Sequence, residues 1–301
     1  MAVIQGGPAP SKWRMDHIVE KGNSSHRLKR RGNSCLVHVK LIPEHHSYVE
    51  PYFGSGAVFF HKEPSDIETI NDLDSDVVNL FQCVQENPEK IASLVYSTPF
   101  SREVYDKQFS NSKDGQAEAD PYKKALGFLI RCWMGHGFRT NGYKFGWKND
   151  VQGREKMYAL CNWVRLPEWV IECVERLRHV QIENRPALEV ISRFDYSNVF
   201  MYIDPPYVMS TRSGSQYKYE MNDKDHAELL DFLVSTKAKV MISGYESQLY
   251  NDKLREWTYN DKLREWTKKT YLSQAEHGSP RQEVVWMNYQ IKEDYQLKLD
   301  I

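Results

Sequence analysis

The stretch "YVEPYFGSGAVFF" (Tyr48 to Phe60) decides the fold, because it predicts a strand, a tight turn and the start of a helix in direct succession. An apolar run leads into a Gly-x-Gly turn at Gly54 and Gly56, and a second apolar run follows. Glycine lets the backbone approach a ligand closely, and a new helix offers unpaired N–H groups. On its own, a Gly-x-Gly turn is weak evidence for a ligand site.

Length and composition limit the class of protein. With 301 residues the chain can hold a large α/β domain or a domain with a substantial insertion. The balance of 40 Lys and Arg against 41 Asp and Glu argues against a general polycation, although one basic face would still suit a nucleic acid. Five scattered cysteines without a CxxC pair indicate neither a disulfide framework nor a zinc site, so we expect no metal and a cytoplasmic location. No stretch approaches the ~18 apolar residues of a membrane span, so we expect no membrane contact.

Strand and helix patterns alternate along most of the chain. The strands are short β-branched or aromatic runs: "SYVEPYFG" (Ser47 to Gly54), "DIETIND" (Asp66 to Asp72), "SNVFMYID" (Ser197 to Asp204), "AKVMISGY" (Ala238 to Tyr245) and "EVVWMNY" (Glu283 to Tyr289). Helical spacing appears between them, in "SDVVNLFQCVQENPEKIASLV" and "KDHAELLDFLVSTK". This alternation predicts an α/β fold with a parallel sheet.

The middle of the chain has a different pattern. Residues 131–150 are rich in glycine, aromatic and basic residues without a clear period, and helical stretches flank them. We interpret this region as a mostly helical insertion that carries a functional loop. A basic cluster within residues 21–40 is compatible with a solvated loop or with phosphate contacts.

A tandem duplication follows, since "YNDKLREWT" occurs at Tyr250 to Thr258 and again at Tyr259 to Thr267. Nine residues turn a helix by about 900°, so the two copies would face opposite sides of one straight helix. We expect one copy to pack and the other to be extruded, or the helix to break near Thr258 and Tyr259.

Two acidic positions follow predicted strands. Asp72, in "INDLDSD", lies where an acidic side chain can accept hydrogen bonds from ribose hydroxyls, while Asp74 is a candidate helix N-cap. Asp204, in "MYIDPPYVMS", ends a buried strand. Asp204 and a backbone carbonyl, that of Pro205, can accept both hydrogens of one exocyclic amine, and Tyr207 can stack on the ring that carries the amine.

These motifs together resemble the D12 class (Dam-like) of DNA N6-adenine methyltransferases, most closely its prophage-type members. The resemblance runs from Ser11 to Tyr289 in the order "SKWRM", "EPYFGSGAVFF", "NDLDSD", a target-recognition region and "DPPY". It implies a Rossmann-like sheet that binds S-adenosylmethionine, with a mostly helical target-recognition insertion. The implied division is a catalytic, cofactor-binding domain at residues 1–96 and 185–301, a DNA-binding domain at 97–184 and an inserted basic loop at 21–40.

The resemblance also implies roles for individual residues. The catalytic group comprises Asp204, Pro205, Pro206 and Tyr207, which would hold a flipped adenine. The cofactor would be bound by Lys12, Trp13, Glu50, Pro51, Phe53, Gly54, Gly56, Asp72 and Asp204. In the target-recognition loop, DNA contacts are expected from Arg139, Asn141, Lys144 and Lys148, with a solvated loop as the alternative.

The function expected from this resemblance is methyl transfer from S-adenosylmethionine to adenine N6 in double-stranded DNA, with GATC as the family's typical site. We expect a monomer, and a cognate restriction endonuclease is a further candidate partner. One alternative is an RNA or guanine-amine methyltransferase. The other is a catalytically impaired DNA-binding remnant, because Pro10 replaces an expected glycine and residues 21–40 are inserted.

Overall fold

The computed structural model describes residues 37–110, 118–136, 142–149, 158–212, 214–255, 266–274 and 280–291. Four of the predicted site residues lie outside these ranges, namely Lys12, Trp13, Arg139 and Asn141. Most of the basic segment 21–40 also lies outside them.

Within the described residues, seven strands form one sheet in the order β3-β2-β1-β4-β5-β7-β6. Their bounds are β1 Ser47–Glu50, β2 Ile67–Asn71, β3 Val180–Glu183, β4 Val199–Ile203, β5 Lys239–Tyr245, β6 Thr267–Gln274 and β7 Pro280–Met287. The order reverses at β1, which pairs in parallel with β2 on one side and with β4 on the other. A crevice forms at such a point in open α/β sheets, because the crossovers leave in opposite directions.

The sheet confirms the predicted α/β class and differs from the prediction in two respects. All five predicted strands are present, but β3 and β6 were missed, and β7 runs antiparallel to both β5 and β6. The sheet is therefore mixed rather than wholly parallel. Strands β6 and β7 follow each other closely, and so short a connection suits an antiparallel pair rather than a parallel crossover.

Helices cover both faces of the sheet. Their bounds are α1 Ala57–His61, α2 Ser75–Glu86, α3 Pro88–Tyr96, α4 Arg102–Ser110, α5 Pro121–Met134, α6 Tyr158–Leu177, α7 Ala187–Arg193, α8 Asp223–Ser235 and α9 Gln248–Arg255. Alternate residues of β4 point to opposite faces. Phe200 and Tyr202 pack with the core that includes α2, α5 and α6, whereas Met201 and Ile203 pack with the core that includes α7, α8 and α9.

Local sequence explains where several helices begin. Asp74 is the N-cap of α2 and accepts a hydrogen bond from the backbone N–H of Asp76 at 3.0 Å, which confirms its predicted capping role. Asn87 ends α2 and caps α3, whose first residue is Pro88. Asp120 and Pro121 repeat this arrangement at the start of α5.

The helices of the middle region share the core of the sheet. Phe128 and Trp133 of α5 and Leu166 and Trp169 of α6 are buried in the same cluster as Phe200 of β4. These helices therefore help to cover the sheet.

The duplicated segment is only partly described. Tyr250 and Leu254 of the first copy are buried, and α9 ends at Arg255. Trp266 of the second copy lies just before β6 and is partly buried against the hydrophobic cluster that contains Tyr250 and Leu254. The predicted break near Thr258 and Tyr259 lies outside the described residues.

A buried charge cluster joins β2 to α6. The Glu68 carboxylate accepts hydrogen bonds from the Arg176 guanidinium and, at 2.5 Å, from Lys62 Nζ. Arg176 also donates to the Phe59 carbonyl oxygen at 3.2 Å and stacks on the Phe59 ring. Although burial opposes its ionisation, the hydrogen bonds from Arg176 and the charge of Lys62 hold the pKa of Glu68 below its usual range.

We predict that Glu68→Gln destabilises the protein by about 3–5 kcal/mol at neutral pH, because it leaves two buried cations without their anion. Chemical denaturation at pH 7 measures the change. Glu103→Gln, which removes an exposed partner of Lys107, should leave stability close to that of the wild type. Equal effects of the two substitutions would contradict the buried-cluster interpretation.

Candidate active site

The carboxyl ends of β1, β2 and β4 open into one cavity of about 600 Å³. Its wall includes residues 50–55 after β1, 72–74 after β2 and Asp204, Pro206 and Tyr207 after β4. Gln216, Tyr217 and residues 219–221 also line the cavity. The volume falls in the range of small-molecule and cofactor sites. Except for Pro205 and Gly56, the predicted catalytic residues and the described predicted cofactor residues thus line one space.

The turn after β1 needs both of its glycines. Gly54 and Gly56 have φ angles of 50° and 66°, in the left-handed region. A Cβ added to Gly54 would meet no atom within 4 Å, whereas one added to Gly56 would lie 2.4 Å from Cζ of Phe53. Gly54 therefore presents its backbone to open space in the cavity wall. Gly56 allows the Phe53 ring to pack beneath the turn.

Asp72 connects the ends of β1 and β2. Its Oδ2 accepts a hydrogen bond from the Gly54 backbone N–H at 2.8 Å, and its Oδ1 accepts one from the Asp74 N–H at 2.8 Å. Burial raises the pKa of Asp72 to about 6 even though these bonds favour the ionised form. The arrangement fixes a carboxylate in the cavity wall, where it can accept further hydrogen bonds from ligand hydroxyls.

Glu50 is a second, more deeply buried acid, only 2% exposed. Its Oε2 accepts a hydrogen bond from the Tyr48 hydroxyl at 2.6 Å. Burial, with a smaller contribution from the negative charge of Asp204, raises the pKa of Glu50 to about 8, against the effect of the Tyr48 hydrogen bond. At neutral pH Glu50 is therefore mostly protonated, and a positively charged ligand group would favour its ionised form.

Asp204 begins the segment that follows β4. Its Oδ1 accepts a hydrogen bond from Ser243 Oγ at 2.8 Å. Pro206 and Tyr207 line the cavity with it, whereas Pro205 is buried beneath them. The Tyr207 ring packs edge to face on Tyr245, with centroids 4.6 Å apart. A carboxylate and an aromatic ring therefore occupy the same part of the wall.

A loop that the sequence analysis missed closes one side of this cavity. Arg212 donates from Nε to the Tyr207 carbonyl oxygen at 2.7 Å and forms an ion pair with Glu220. Although burial opposes its ionisation, hydrogen bonds from Arg212 and from backbone N–H groups lower the pKa of Glu220 to about 2. Lys218 reaches across to Asp74 at 3.3 Å. The loop after β4 is thereby tied to the start of α2.

Two predicted DNA contacts lie in the described part of the target-recognition loop. Lys144 is half exposed and pairs with Asp106 at 2.8 Å. Lys148 is only 6% exposed, and its Nζ donates to the Trp133 carbonyl oxygen at 3.1 Å. Burial also lowers the pKa of Lys148 to about 8. A side chain so buried is poorly placed to contact a phosphate, so we withdraw Lys148 from the predicted DNA contacts.

Other residues near the site were absent from the prediction. His38, Tyr202, Tyr245 and Glu283 all line the cavity. For Tyr245 and its neighbour Ser243 a signal existed, because both lie in a predicted strand next to β4. Tyr202 also offered a signal, because it lies two residues before Asp204 on a predicted strand and therefore on the same face. His38 gave no such signal, since it comes close to Asp204 only through the tertiary fold.

The described residues offer neither a candidate metal site nor a candidate membrane-spanning helix. Residues 37–291, apart from the gaps given above, contain no group of three or more His, Cys, Asp and Glu side chains that could hold a metal ion. In the same part of the chain, no helix has the length and apolar character needed to cross a membrane.

Comparison with known proteins gives one consistent result. Residues 37–276 match the family model described as D12 class N6 adenine-specific DNA methyltransferase. A type II methyltransferase of Lactococcus lactis subsp. cremoris, M1.LlaDCHI, is 25% identical over 240 residues, covering 74% of this chain and 81% of that protein. The type II methyltransferase M.MjaIII of Methanocaldococcus jannaschii is 26% identical over 230 residues, covering 69% and 77%. A DNA adenine methylase of Escherichia coli (strain K12) is 25% identical over 227 residues, covering 72% and 76%.

The glycine turn yields a stability prediction. Gly56→Ala should destabilise the protein by about 2–4 kcal/mol, because it adds left-handed backbone strain to a clash with the Phe53 ring. Gly142→Ala is the matched control, since Gly142 has a φ of 80° and open space around it. The control should cost only the backbone strain, about 1–2 kcal/mol. Chemical denaturation of both variants measures the difference, and equal losses would argue against a packing role for Gly56.

Proposed function

This chain belongs to the D12 class of N6 adenine-specific DNA methyltransferases, and we propose that its cavity holds the methyl donor and the target adenine side by side. The enzyme transfers a methyl group to the N6 atom of adenine in DNA. Methyltransferases in general use S-adenosylmethionine as donor. Our proposal assigns the residues of this chain that bind each of the two molecules. The observation that supports it most is the cavity shared by Gly54, Asp72 and Asp204.

The residues present fit S-adenosylmethionine. The Asp72 carboxylate is suited to accept hydrogen bonds from the ribose hydroxyls, and Gly54 leaves space for a ligand against its backbone. Glu50 offers a buried acid for the amino group of the methionine end, while Pro51 and Phe53 supply apolar surface. S-adenosylmethionine would supply an electrophilic methyl group next to the target base. Lys12 and Trp13 remain proposed contacts from the resemblance alone.

The segment Asp204 to Tyr207 is proposed to hold the flipped adenine. A duplex hides the adenine amine within its stack, so the base must rotate out before it can react. Asp204 and the carbonyl oxygen of Pro205 would accept the two amine hydrogens, which directs the nitrogen lone pair toward the methyl group. Tyr207 would stack on the ring. Positioning is the main device, because an aromatic amine is a weak nucleophile.

DNA recognition is proposed for the region 97–184, mainly through the segment between α5 and α6. Lys144 is the described candidate for a phosphate or base contact, with Arg139 and Asn141 beside it in the sequence. GATC as the target sequence, a monomeric state and a partner endonuclease all stay predictions.

Asp204→Ala should reduce labelled methyl transfer to unmethylated DNA by at least about 100-fold, because the amine loses its charged acceptor. Asp231→Ala is the matched control, since Asp231 is exposed on α8 and pairs with Lys253. Sequencing that detects N6-methyladenine would identify the target site in the same reaction. Transfer that persists in Asp204→Ala would refute the assigned role, and cofactor binding without transfer by the wild type would favour the catalytically impaired remnant.

Cofactor binding should also release a proton from Glu50. Burial raises the pKa of Glu50 to about 8, and a neighbouring ammonium group would lower it. Affinity for S-adenosylmethionine should therefore rise between pH 6 and pH 8. Calorimetry in buffers of different ionisation enthalpy measures the proton release, which should disappear in Glu50→Gln. Equal release from both proteins would assign the proton to another group.

A further inference from the structure

A line of hydrogen bonds runs from the Asp204 carboxylate into the interior of the protein. Ser243 Oγ lies 2.8 Å from Asp204 Oδ1, and the Tyr202 hydroxyl lies 3.2 Å from Ser243 Oγ. His38 Nδ1 is 2.9 Å from the Tyr202 hydroxyl, and His38 Nε2 contacts the hydroxyl of Tyr271. The line therefore joins β4, β5, β6 and the helical segment at residues 37–41 through side chains alone.

The sheet register explains how the first members meet. Tyr202 pairs with Met241 and Ile203 with Ile242 across the parallel strands β4 and β5, which brings Asp204 beside Ser243. Residues two apart on a strand share a face, so Tyr202 and Asp204 lie on one side of β4, and Ser243 lies on the same side of β5. A shift of the register by one residue would point the Ser243 side chain to the opposite face.

A single assignment of protons satisfies every contact in the line. The Ser243 hydroxyl donates to the Asp204 carboxylate, which is both charged and closer than the Ile203 carbonyl oxygen at 3.3 Å. The Tyr202 hydroxyl then donates to Ser243, and His38 donates from Nδ1 to Tyr202. His38 Nε2 is left to accept from Tyr271, which requires a neutral imidazole. Burial lowers the pKa of His38 to about 4, in agreement with that neutral form.

We propose that Ser243, Tyr202 and His38 are positioning residues, which orient the Asp204 carboxylate for the target amine through a directed chain of hydrogen bonds. This inference rests on the role proposed above for Asp204. Ser243 engages one carboxylate oxygen and so sets the plane in which the second oxygen lies. Tyr202 and His38 fix the direction of the Ser243 hydroxyl, which would otherwise rotate with little energetic cost.

The donor-to-acceptor direction of these hydrogen bonds also distinguishes a positioning role from that of a proton relay. Every hydroxyl and ring N–H in the assignment donates toward the carboxylate. A proton leaving Asp204 along this path would require each bond to reverse first. The chain therefore stabilises the ionised form of Asp204 and restricts its rotation.

Steady-state kinetics on DNA test the proposal. A hydrogen bond to a charged group corresponds to about a 10- to 100-fold change in rate. We expect Ser243→Ala to lower kcat by that factor, with the KM for DNA and the Kd for S-adenosylmethionine within about twofold of the wild type. Tyr202→Phe, which keeps every ring carbon, should lower kcat by a smaller factor in the same pattern.

The double variant distinguishes orientation from packing. If Tyr202 acts only through Ser243, then Ser243→Ala with Tyr202→Phe should be no slower than Ser243→Ala alone, within about twofold. Independent packing effects would multiply instead. Tyr289→Phe is the matched control. The Tyr289 hydroxyl donates to the Leu41 carbonyl oxygen and the Tyr289 ring packs on Phe200, so neither belongs to the line of hydrogen bonds. The kcat of Tyr289→Phe should equal that of the wild type.

The remaining outcomes distinguish failure of the positioning role from failure of the role proposed for Asp204. Unchanged kcat in a folded Ser243→Ala or Tyr202→Phe protein, while Asp204→Ala is inactive, would overturn this inference and leave the role of Asp204 intact. Activity that persists in Asp204→Ala would overturn the role of Asp204 itself. If Ser243→Ala fails to fold, Tyr202→Phe alone tests the proposal. A kcat of Tyr202→Phe equal to that of Tyr289→Phe would then overturn the positioning role of these hydrogen bonds.

Discussion

The parallel pairing of β1 with both β2 and β4 is the constraint on which the rest of the site depends. Val49 pairs with Thr69 on one side and with Met201 on the other, so the three strands end at the same edge. At that edge lie the turn at Gly54, the Asp72 carboxylate and the Asp204 carboxylate, which line one cavity. Because side chains alternate along each strand, a slip of one residue in either pairing would separate these groups.

The same edge gathers acids whose burial opposes their ionisation. Burial raises the pKa of Glu50 and of Asp72 above their values in the unfolded chain. These two groups therefore favour the folded state most at low pH, and their contribution declines as pH rises from about 4 through 6 for Asp72 and 8 for Glu50. A ligand that brings hydroxyl donors and a positive charge compensates for that decline. The electrostatics of the cavity thus favour the kind of ligand that the family uses, at the expense of stability without it.

The sequence predicted the parts of the fold, and of the cavity wall, that local chemistry determines. Gly54, Asp72 and Asp204 could be found because each follows an apolar strand within a few residues, and Asp74 because helix caps have a local signature. Strand β3 was missed since "VQIE" is short and directly follows a helical pattern, and β6 since "TKKTYLSQ" lacks an apolar run. Lys148 was assigned to DNA from its charge and its place in the target-recognition loop, whereas packing against α5 buries it. Burial and long-range contact depend on the whole fold, so residue type could not reveal them.

The two carboxylates that define the site are held in different ways. Asp72 is fixed by the backbone N–H groups of Gly54 and Asp74, which only a substitution by proline at those positions would remove. Asp204 is fixed by Ser243, a side chain on another strand that a single substitution can remove. The proposed cofactor end of the cavity is therefore built from local chain geometry, and the proposed base end from tertiary contacts. Sequence motifs report the first kind of construction, whereas the second requires the register of β4 and β5 to be known.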